Sequence, residues 1–304
     1  MADVASMKQV SYSTGGFGGH DIRTALDAIA AEQFNCVEVG GCGTCFDDWA
    51  CSARDDAPAP PTGRSLAAFR GELEKRGLSA TTVHAPSRTN VLGAPTQAWR
   101  TEKVGVLGQY IRFAAELGAG GIVIHGIPNP CFLPKDCDVA TMVQPMVDAM
   151  RRSLDELVPV AAAAGTRILL ENLPYGIDVS IEYPLIAMRQ LRPFVEEFPQ
   201  EHVGLVVDTG HAWTDGFDPA AEIELAGDRL WGVHLQDAPQ KEPYDNHWVP
   251  GTGDLDWTEI RAALERVGYA GVWTFEVANG RDGAGPSEQA RQTRAFATAW
   301  IGGD

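Results

Sequence analysis

The stretch VGLVVDTGHAW, residues 203–213, is an apolar run that ends in Asp208 and is followed at once by a turn and His211. A strand buried on both faces has this form when a polar group stands at its end. Similar runs ending in an acidic or imidazole group are TTVHAP (81–86), GIVIHGIP (121–128), RILLENLP (167–174), LWGVHLQDAP (230–239) and GVWTFEVAN (271–279). If these strands lie side by side, their terminal groups converge, and the pattern predicts a metal-dependent enzyme.

Short apolar runs alternate with longer amphipathic stretches along the whole chain, which is typical of βα units around a parallel sheet. The pattern predicts a single-domain (β/α)8 TIM barrel over residues 1–304. Strands are predicted at 8–13, 35–40, 79–84, 121–125, 167–171, 203–208, 230–235 and 272–276. Helices are predicted at 21–34, 65–77, 96–118, 139–165, 182–198, 218–227, 256–268 and 287–303, with Asp21 and Ser65 as N-caps.

A long loop, residues 41–64, follows the second predicted strand and would therefore lie over the carboxyl-terminal mouth of the barrel. It can be a lid or specificity element, or a plain insertion. Its Cys42 and Cys45 have the CxxC spacing of a structural zinc or redox pair. With no secretory signal visible, reduced free thiols are the preferred interpretation.

Composition limits the partners of this protein. The 304 residues carry a formal net charge of −17, which argues against nucleic acid as the main partner. No stretch approaches the roughly 18 apolar residues that a membrane-spanning helix needs. The MADVASMKQV start has no apolar core of a signal peptide, so a cytoplasmic location and no membrane partner are expected.

Four of the terminal groups, Glu171, Asp208, His234 and Glu276, end the predicted strands five to eight. Each has a structural alternative when taken singly, such as a helix cap, a turn, a core imidazole or an ion pair. Their equivalent positions on four successive βα units favour a shared metal site. This donor set, rich in oxygen, suits Mn²⁺ first, with Mg²⁺, Co²⁺ or Zn²⁺ as alternatives.

Further motifs carry a resemblance to a known family. The ordered set comprises FNCVEVGG (34–41), VHAPSRTNVLGAP (83–95), IVIHG (122–126), ENLP (171–174), VVDTGHAW (206–213) with GFDP (216–219), HLQD (234–237), DNHWVPGTGDLDW (245–257) and FEV (275–277). Over nearly the whole chain it resembles the xylose isomerase-like barrel superfamily, the sugar phosphate isomerase/epimerase group. The motifs are specific for the superfamily and much less so for one reaction within it.

The resemblance implies that Glu171, Asp208, His234 and Glu276 hold one divalent metal, and that the two glutamates are the acid/base pair. The expected function is isomerisation or epimerisation of a small sugar or cyclitol ketone, by proton transfer through a metal-bound enediolate. Such barrels are often dimers or tetramers, so a homo-oligomer is an open alternative. The predicted contacts to a polyhydroxy carbonyl substrate are His211, His125, His247, His84, Glu38 and Trp213.

Other activities of the same barrel group stay open. The family's epimerases usually carry an arginine in the loop after the seventh strand, where this chain has Lys241, so a standard free-ketose 3-epimerase is in question. The same enolisation chemistry would serve a lyase, as in inosose or dehydroshikimate dehydratases, or cleavage of a 3-keto-glycoside. A non-catalytic sugar binder would not need two opposed carboxylates.

A zinc-dependent apurinic endonuclease is the second alternative, because the chain supplies nine residues in the order of that enzyme's ligands. They are His84, His125, Glu171, Asp208, His211, His234, Asp245, His247 and Glu276. The acidic net charge and the WVPGTGDLDW sequence at 248–257 weigh against it.

Overall fold

Eight parallel strands close into a barrel in the computed structural model of the chain, with each strand hydrogen-bonded to the next and the last to the first. The structure describes residues 9–40, 60–86, 93, 96–127, 138–174, 183–239, 245–281 and 283–302. The strands are β1 Val10–Ser13, β2 Cys36–Val39, β3 Ser79–His84, β4 Gly121–His125, β5 Ile168–Glu171, β6 Val203–Asp208, β7 Leu230–Leu235 and β8 Trp273–Phe275. The predicted barrel is thus confirmed.

Helices separate the strands. They are α1 Ile22–Ala31, α2 Gly63–Lys75, α3 Gln97–Leu117, α4 Val139–Ala164, α5 Met188–Val195, α6 Thr209–Thr214, α7 Pro219–Ala226, α8 Trp257–Arg266 and α9 Pro286–Gly302. The predicted cap Asp21 accepts a hydrogen bond from the Arg23 backbone. The predicted cap Ser65 is wrong, because it lies in the first turn of α2 and Thr62 precedes that helix.

The fifth helix is shorter than predicted. Leu185 has a φ of 59°, and this left-handed conformation interrupts the helical path of the chain. The Gln190 side chain then accepts hydrogen bonds from the backbone of Ile186 and Ala187, so α5 begins at Met188 instead of near residue 182. Helix α6, which the sequence analysis did not predict, follows β6 directly.

The barrel interior carries a small apolar layer of its own. Val123, Leu169 and Val206, on β4, β5 and β6, form a buried cluster separate from the larger core between the barrel and its helices. Side chains alternate along a strand, so the residues two positions further on point to the same side. Those residues are His125, Glu171 and Asp208, which places them at the carboxyl-terminal mouth above the apolar layer.

A bulge adjusts the second and third strands. Val37 pairs with Ala80 but Glu38 pairs with Thr82, so Thr81 is the extra residue on β3. Bulges commonly re-aim side chains next to functional sites. Here the Thr81 hydroxyl donates to the Val37 carbonyl, and the Thr82 hydroxyl is brought within 2.7 Å of Glu38 Oε2.

Among the described helices, none has the length and hydropathy that crossing a bilayer would require.

Candidate metal centre

Glu171, the last residue of β5, is the focus of the site. Its carboxylate is fully buried, and its Oε1 lies 2.6 Å from Nδ1 of His234 on β7. Its Oε2 lies 3.2 Å from Nε2 of His84 and 3.1 Å from Nε2 of His125. One carboxylate at a strand end therefore draws together imidazoles from three other strands.

Glu276 contacts the same imidazole nitrogen as Glu171. It immediately follows β8, its Oε2 lies 3.0 Å from His234 Nδ1, and its side chain is 15% exposed. One donor atom each from His84, Glu171, His234 and Glu276 lies within 4.8 Å of the others. Three of the four predicted metal ligands thus meet, together with a histidine that was predicted to bind substrate.

Asp208 stands at the junction of β6 and α6 and serves both as a helix cap and as a site residue. Its Oδ1 accepts hydrogen bonds from the His211 backbone at 2.7 Å and from the Gln236 amide at 3.0 Å. Its buried Oδ2 has no hydrogen-bond partner among the described residues. Asp208 groups within 4.8 Å with Glu171 and His211, and separately with His247 and Glu276.

A second group of donors lies beside the first. The Nε2 atoms of His211 and His247 point at one oxygen of Asp245, at 3.3 and 2.8 Å. Their Nδ1 atoms lie 2.9 and 3.0 Å from the backbone carbonyls of Asn172 and Glu276, which fixes both rings. His247 has a φ of 48°, an unfavourable conformation for a residue with a side chain, and such strain is commonly held at functional sites.

The electrostatics of the site follow from this pairing of acids and imidazoles. Burial alone would lower the pKa of His84, but its hydrogen bond to Glu171 and the nearby carboxylate charges raise it to about 9. Burial is likewise outweighed at His247, where the charge of Asp245 raises the pKa to about 10. Burial would raise the pKa of Glu276, yet the charge of His234 lowers it to about 2.

Asp208 behaves differently, because burial dominates and raises its pKa to about 6. The pKa of Glu171 is held well below its usual range, since the charge of His234 and three histidine hydrogen bonds outweigh its burial. The pKa of His234 is raised well above its usual range, because the charges of Glu38 and Glu171 outweigh burial. Protons on imidazoles therefore neutralise the buried carboxylates.

These residues fit a divalent cation. Carboxylate oxygens and imidazole nitrogens that converge in a buried place are a donor set for Mn²⁺, Mg²⁺, Co²⁺ or Zn²⁺. Asp208 Oδ2 is buried and meets no partner in the part of the chain that the structure describes, which is costly unless a cation or a donor reaches it. A cation would also replace the imidazole protons as the positive charge among Glu171, Asp208 and Glu276.

The other predicted site residues fall into three positions. His84 and His125 line the mouth, with side chains 12% and 17% exposed. Glu38 is fully buried on the inner wall of the barrel, and Trp213 is partly buried on α6. Lys241, the CxxC pair and loop residues 41–59 lie outside the described residues.

Three supporting residues were not predicted as part of the site, although they lie in the motifs ENLP and HLQD. They are Asn172, Gln236 and Asp237. Asn172 brackets Asp208 by accepting from its backbone N–H at 2.7 Å and donating to its carbonyl at 3.0 Å. Gln236 donates to Asp208 Oδ1 and, at 3.4 Å, to Asp245 Oδ1. The available signal was a polar residue within three positions after a predicted strand-end ligand, as in ENLP and HLQD.

Asp237 organises the loop that carries Asp245 and His247. Its buried carboxylate accepts from the backbone N–H groups of Gly251 and Leu255, and from the Trp257 indole at 2.9 Å. Its backbone also forms an isolated antiparallel bridge with Trp248. A Cβ on Gly253 would lie 2.2 Å from Asp237 Oδ1, so only glycine allows this close approach.

A closed (β/α)8 barrel with acids and imidazoles at the carboxyl ends of its strands defines the class of this protein. Residues 26–300 match the family model described as xylose isomerase-like TIM barrel, and the chain belongs to that family.

Individual relatives agree with this membership. The chain is 35% identical over 260 residues to a D-psicose 3-epimerase of Enterocloster bolteae, covering 84% of this chain and 76% of that protein. It is 24% identical over 202 residues to a probable endonuclease 4 of Thermoplasma acidophilum, covering 62% of this chain and 64% of that protein. The solved structure of a D-tagatose 3-epimerase-like protein matches with a TM-score of 0.75 at 20% identity, covering 97% and 98% of the two chains, and shows the shared fold.

Proposed function

We propose that the protein is a divalent-metal-dependent epimerase or isomerase of a small polyhydroxy carbonyl compound, a sugar or cyclitol ketone. The observation that carries the proposal is the convergence of Glu171 and Glu276 on His234 Nδ1, at 2.6 and 3.0 Å. Two carboxylates around one centre are what removal and return of a proton require. The likeness to a D-psicose 3-epimerase supports the same choice.

Glu171, Asp208, His234 and Glu276 would hold the metal, with Mn²⁺ as the first choice. A bound cation would act as a Lewis acid that stabilises the negative charge developing next to the substrate carbonyl. Asp208 is fixed by Asn172 and by its role as the cap of α6, so its oxygens are positioned before any ligand arrives. His84 belongs to the same group of donor atoms as Glu171, His234 and Glu276, so it would be a fifth polar group next to the metal.

Glu276 and Glu171 would then act on the carbon next to the carbonyl. One carboxylate removes the proton to leave an enediolate, and the other returns a proton. Return of a proton by the second carboxylate to the opposite face of the same carbon gives epimerisation, whereas one carboxylate that carries the proton to the neighbouring carbon gives aldose–ketose isomerisation. The pKa values of both carboxylates are lowered, so either can begin ionised as the base, and its partner has to take up a proton before it can return one.

The exposed imidazoles and Asp245 would bind the substrate hydroxyls. The side chains of His125, at the end of β4, and His247, in the loop after β7, are 17% and 15% exposed. Trp213, on α6, would contribute an apolar wall for the carbon chain.

The test is incubation of the purified, manganese-loaded protein with a panel of ketoses and inososes in D₂O. Deuterium incorporation at a carbon next to the carbonyl, together with a new epimer or isomer, would support the proposal. A product lighter by one water would instead indicate elimination, the lyase alternative. No exchange with any substrate, in protein shown to hold its metal, would count against the whole class of reaction.

A phosphodiesterase of the apurinic endonuclease type is the second candidate. The observation that favours it is the separate group of His211, Asp245 and His247, which offers a second set of metal donors. Close to three zinc ions per chain by mass spectrometry, with nicking of abasic DNA, would establish it. One manganese, magnesium or cobalt ion per chain without nicking would leave the epimerase or isomerase.

A further inference from the structure

The imidazoles of the site differ in what holds their second ring nitrogen. His84 Nδ1 lies 2.8 Å from the Ala85 carbonyl, and the Nδ1 atoms of His211 and His247 also meet backbone carbonyls. Backbone carbonyls accept but never donate, so each of these rings carries its hydrogen on Nδ1 and presents Nε2 to a carboxylate. The main chain alone therefore keeps a hydrogen on Nδ1 of these three rings.

His234 has the opposite orientation. Its Nδ1 faces Glu171 and Glu276, while its Nε2 points down into the barrel, 2.9 Å from Oε2 of Glu38. A neutral imidazole has a single N–H, so Nδ1 can offer a lone pair to a cation only if Nε2 keeps the hydrogen. Among the described residues, the acceptor that faces Nε2 is the Glu38 carboxylate, which is a side chain instead of the backbone.

Glu38 is itself fixed in place. It is fully buried on β2, and the Thr82 hydroxyl donates to the same Oε2 at 2.7 Å. That contact exists because the bulge on β3 sets Thr82, and not Thr81, opposite Glu38. Glu38 Oε1 has no hydrogen-bond partner among the described residues, so the carboxylate's interactions centre on the oxygen shared by Thr82 and His234.

We propose that Glu38 is a positioning residue that acts through His234, holding its hydrogen on Nε2 so that Nδ1 can bind the metal. This replaces the prediction that Glu38 orients a substrate hydroxyl, because the carboxylate lies behind the imidazole and is fully buried. The inference rests on the proposed metal centre. Carboxylates that support metal-binding histidines in this way typically contribute roughly 10- to 100-fold to metal affinity or activity.

The variants separate the acceptor from the charge and from general packing. Glu38→Leu removes the acceptor while keeping an apolar side chain of comparable bulk. Glu38→Gln retains an acceptor oxygen where His234 and Thr82 meet, and places its amide on the side of the unpartnered Oε1. Thr82→Val removes the supporting donor, whereas Thr82→Ser keeps it. Glu222→Gln is the matched control, a buried carboxylate that accepts from the Met188 backbone on the outside of the barrel.

The primary measurement is Mn²⁺ affinity of the metal-free full chain, from the electron paramagnetic resonance signal of free Mn²⁺. Glu38→Leu should bind roughly 10- to 100-fold more weakly. Thr82→Val should bind roughly two- to tenfold more weakly, the loss of one hydrogen bond. Glu38→Gln, Thr82→Ser and Glu222→Gln should stay within about threefold of the parent, which is less than one typical hydrogen bond removes.

The tautomer of His234 is a second readout, and it would not change if Glu38 only contributed to packing. In Zn²⁺-loaded protein, long-range ¹H–¹⁵N spectra should show the His234 hydrogen on Nε2 in the parent and in Glu38→Gln. Unchanged Mn²⁺ affinity in Glu38→Leu and Thr82→Val would overturn the inference, and so would a hydrogen on Nδ1 in the parent. If the parent protein binds metal and Glu38→Leu and Thr82→Val bind it equally tightly, only this inference fails. If the parent protein has no affinity for metal, the proposed function fails as well.

Discussion

His234 Nδ1 lies 2.6 Å from Glu171 Oε1, and both side chains are sealed from solvent. A contact this short between an imidazole nitrogen and a carboxylate oxygen is a charge-assisted hydrogen bond, and it needs a proton between the two atoms. A divalent cation bound by the same two atoms would need that proton to leave. Proton and metal therefore compete for one place in the barrel.

Metal binding should release protons, and its affinity should rise with pH. In the metal-free protein, interactions with carboxylates raise the pKa of His84 to about 9 and that of His247 to about 10, so both imidazoles are protonated at neutral pH. Titration calorimetry with Mn²⁺ should be run in two buffers that differ in ionisation enthalpy. The measured binding enthalpies should differ between the buffers, because each buffer takes up the released protons with its own heat. Equal heats in both buffers would contradict this picture.

The stability of the metal-free protein should fall as the solution becomes alkaline. A pKa raised on folding contributes stability that is complete below the unfolded histidine value of about 6.5 and is lost as the pH passes the folded value. For His84 and His247 the folded pKa values are about 9 and about 10. The Tm of the chelated protein should thus decline from pH 6.5 to 10, and saturation with Mn²⁺ should reduce the decline. A flat Tm profile in the chelated protein would argue against charged imidazoles.

Glu276→Gln should abolish most turnover and leave the fold intact. The amide cannot accept a proton, and losing a positioned acid or base typically costs roughly 10²- to 10⁴-fold in rate. Glu259→Gln is the control, since that glutamate is half exposed and pairs with Arg266 on α8. Initial rates of deuterium exchange and a circular dichroism melt of both variants make the comparison. Rates near those of the parent in Glu276→Gln would remove this residue from the mechanism.

Asp208→Asn should weaken metal binding without unfolding α6. An asparagine oxygen can still accept from the His211 backbone, so the helix cap is kept. The negative charge on the unpartnered Oδ2 is lost, and that oxygen is the atom available to a cation. Metal content after dialysis, measured by mass spectrometry, should drop while the melting profile stays close to that of the parent. Full metal retention would exclude Asp208 as a ligand.

Asp237→Ala should destabilise the protein more than Asp237→Asn. The alanine variant leaves the backbone groups of Gly251 and Leu255 and the Trp257 indole without their acceptor. Each unsatisfied buried donor costs about 1–3 kcal/mol, so denaturant unfolding should show a loss of about 3 kcal/mol or more. The asparagine variant retains one oxygen and should lose less. Equal stability of both variants and the parent would show that water replaces the carboxylate.

The strands were predictable because buried parallel strands are continuous apolar runs, and no boundary differs from the structure by more than two residues. The proposed ligands Glu171, Asp208 and His234 stand out by the same signal, and the structure places them close together. Helix α6 was not, since its sequence TGHAWT is six residues long and poor in strong helix formers.

Pairings across the barrel also escaped prediction. Glu38 and His234 are 196 positions apart, and no local pattern connects them. The role of Asp237 depends on donors from Gly251, Leu255 and Trp257, which only the folded loop brings together. Sequence motifs identified which residues matter at the barrel mouth, but the closed sheet decided which of them face one another.

The two glutamates differ in their access to water, because Glu276 reaches the mouth whereas Glu171 is shielded by His84 and His125. In the proposed reaction each turnover leaves one carboxylate protonated and the other bare, so the enzyme emerges in a form that suits only the reverse reaction. The protonation state of Glu276 can be reset by direct exchange with the solvent. The protonation state of Glu171 has to be reset through the two histidines, because their Nε2 atoms contact its Oε2. These imidazoles would therefore act as a relay that sets how fast the enzyme recovers between successive turnovers.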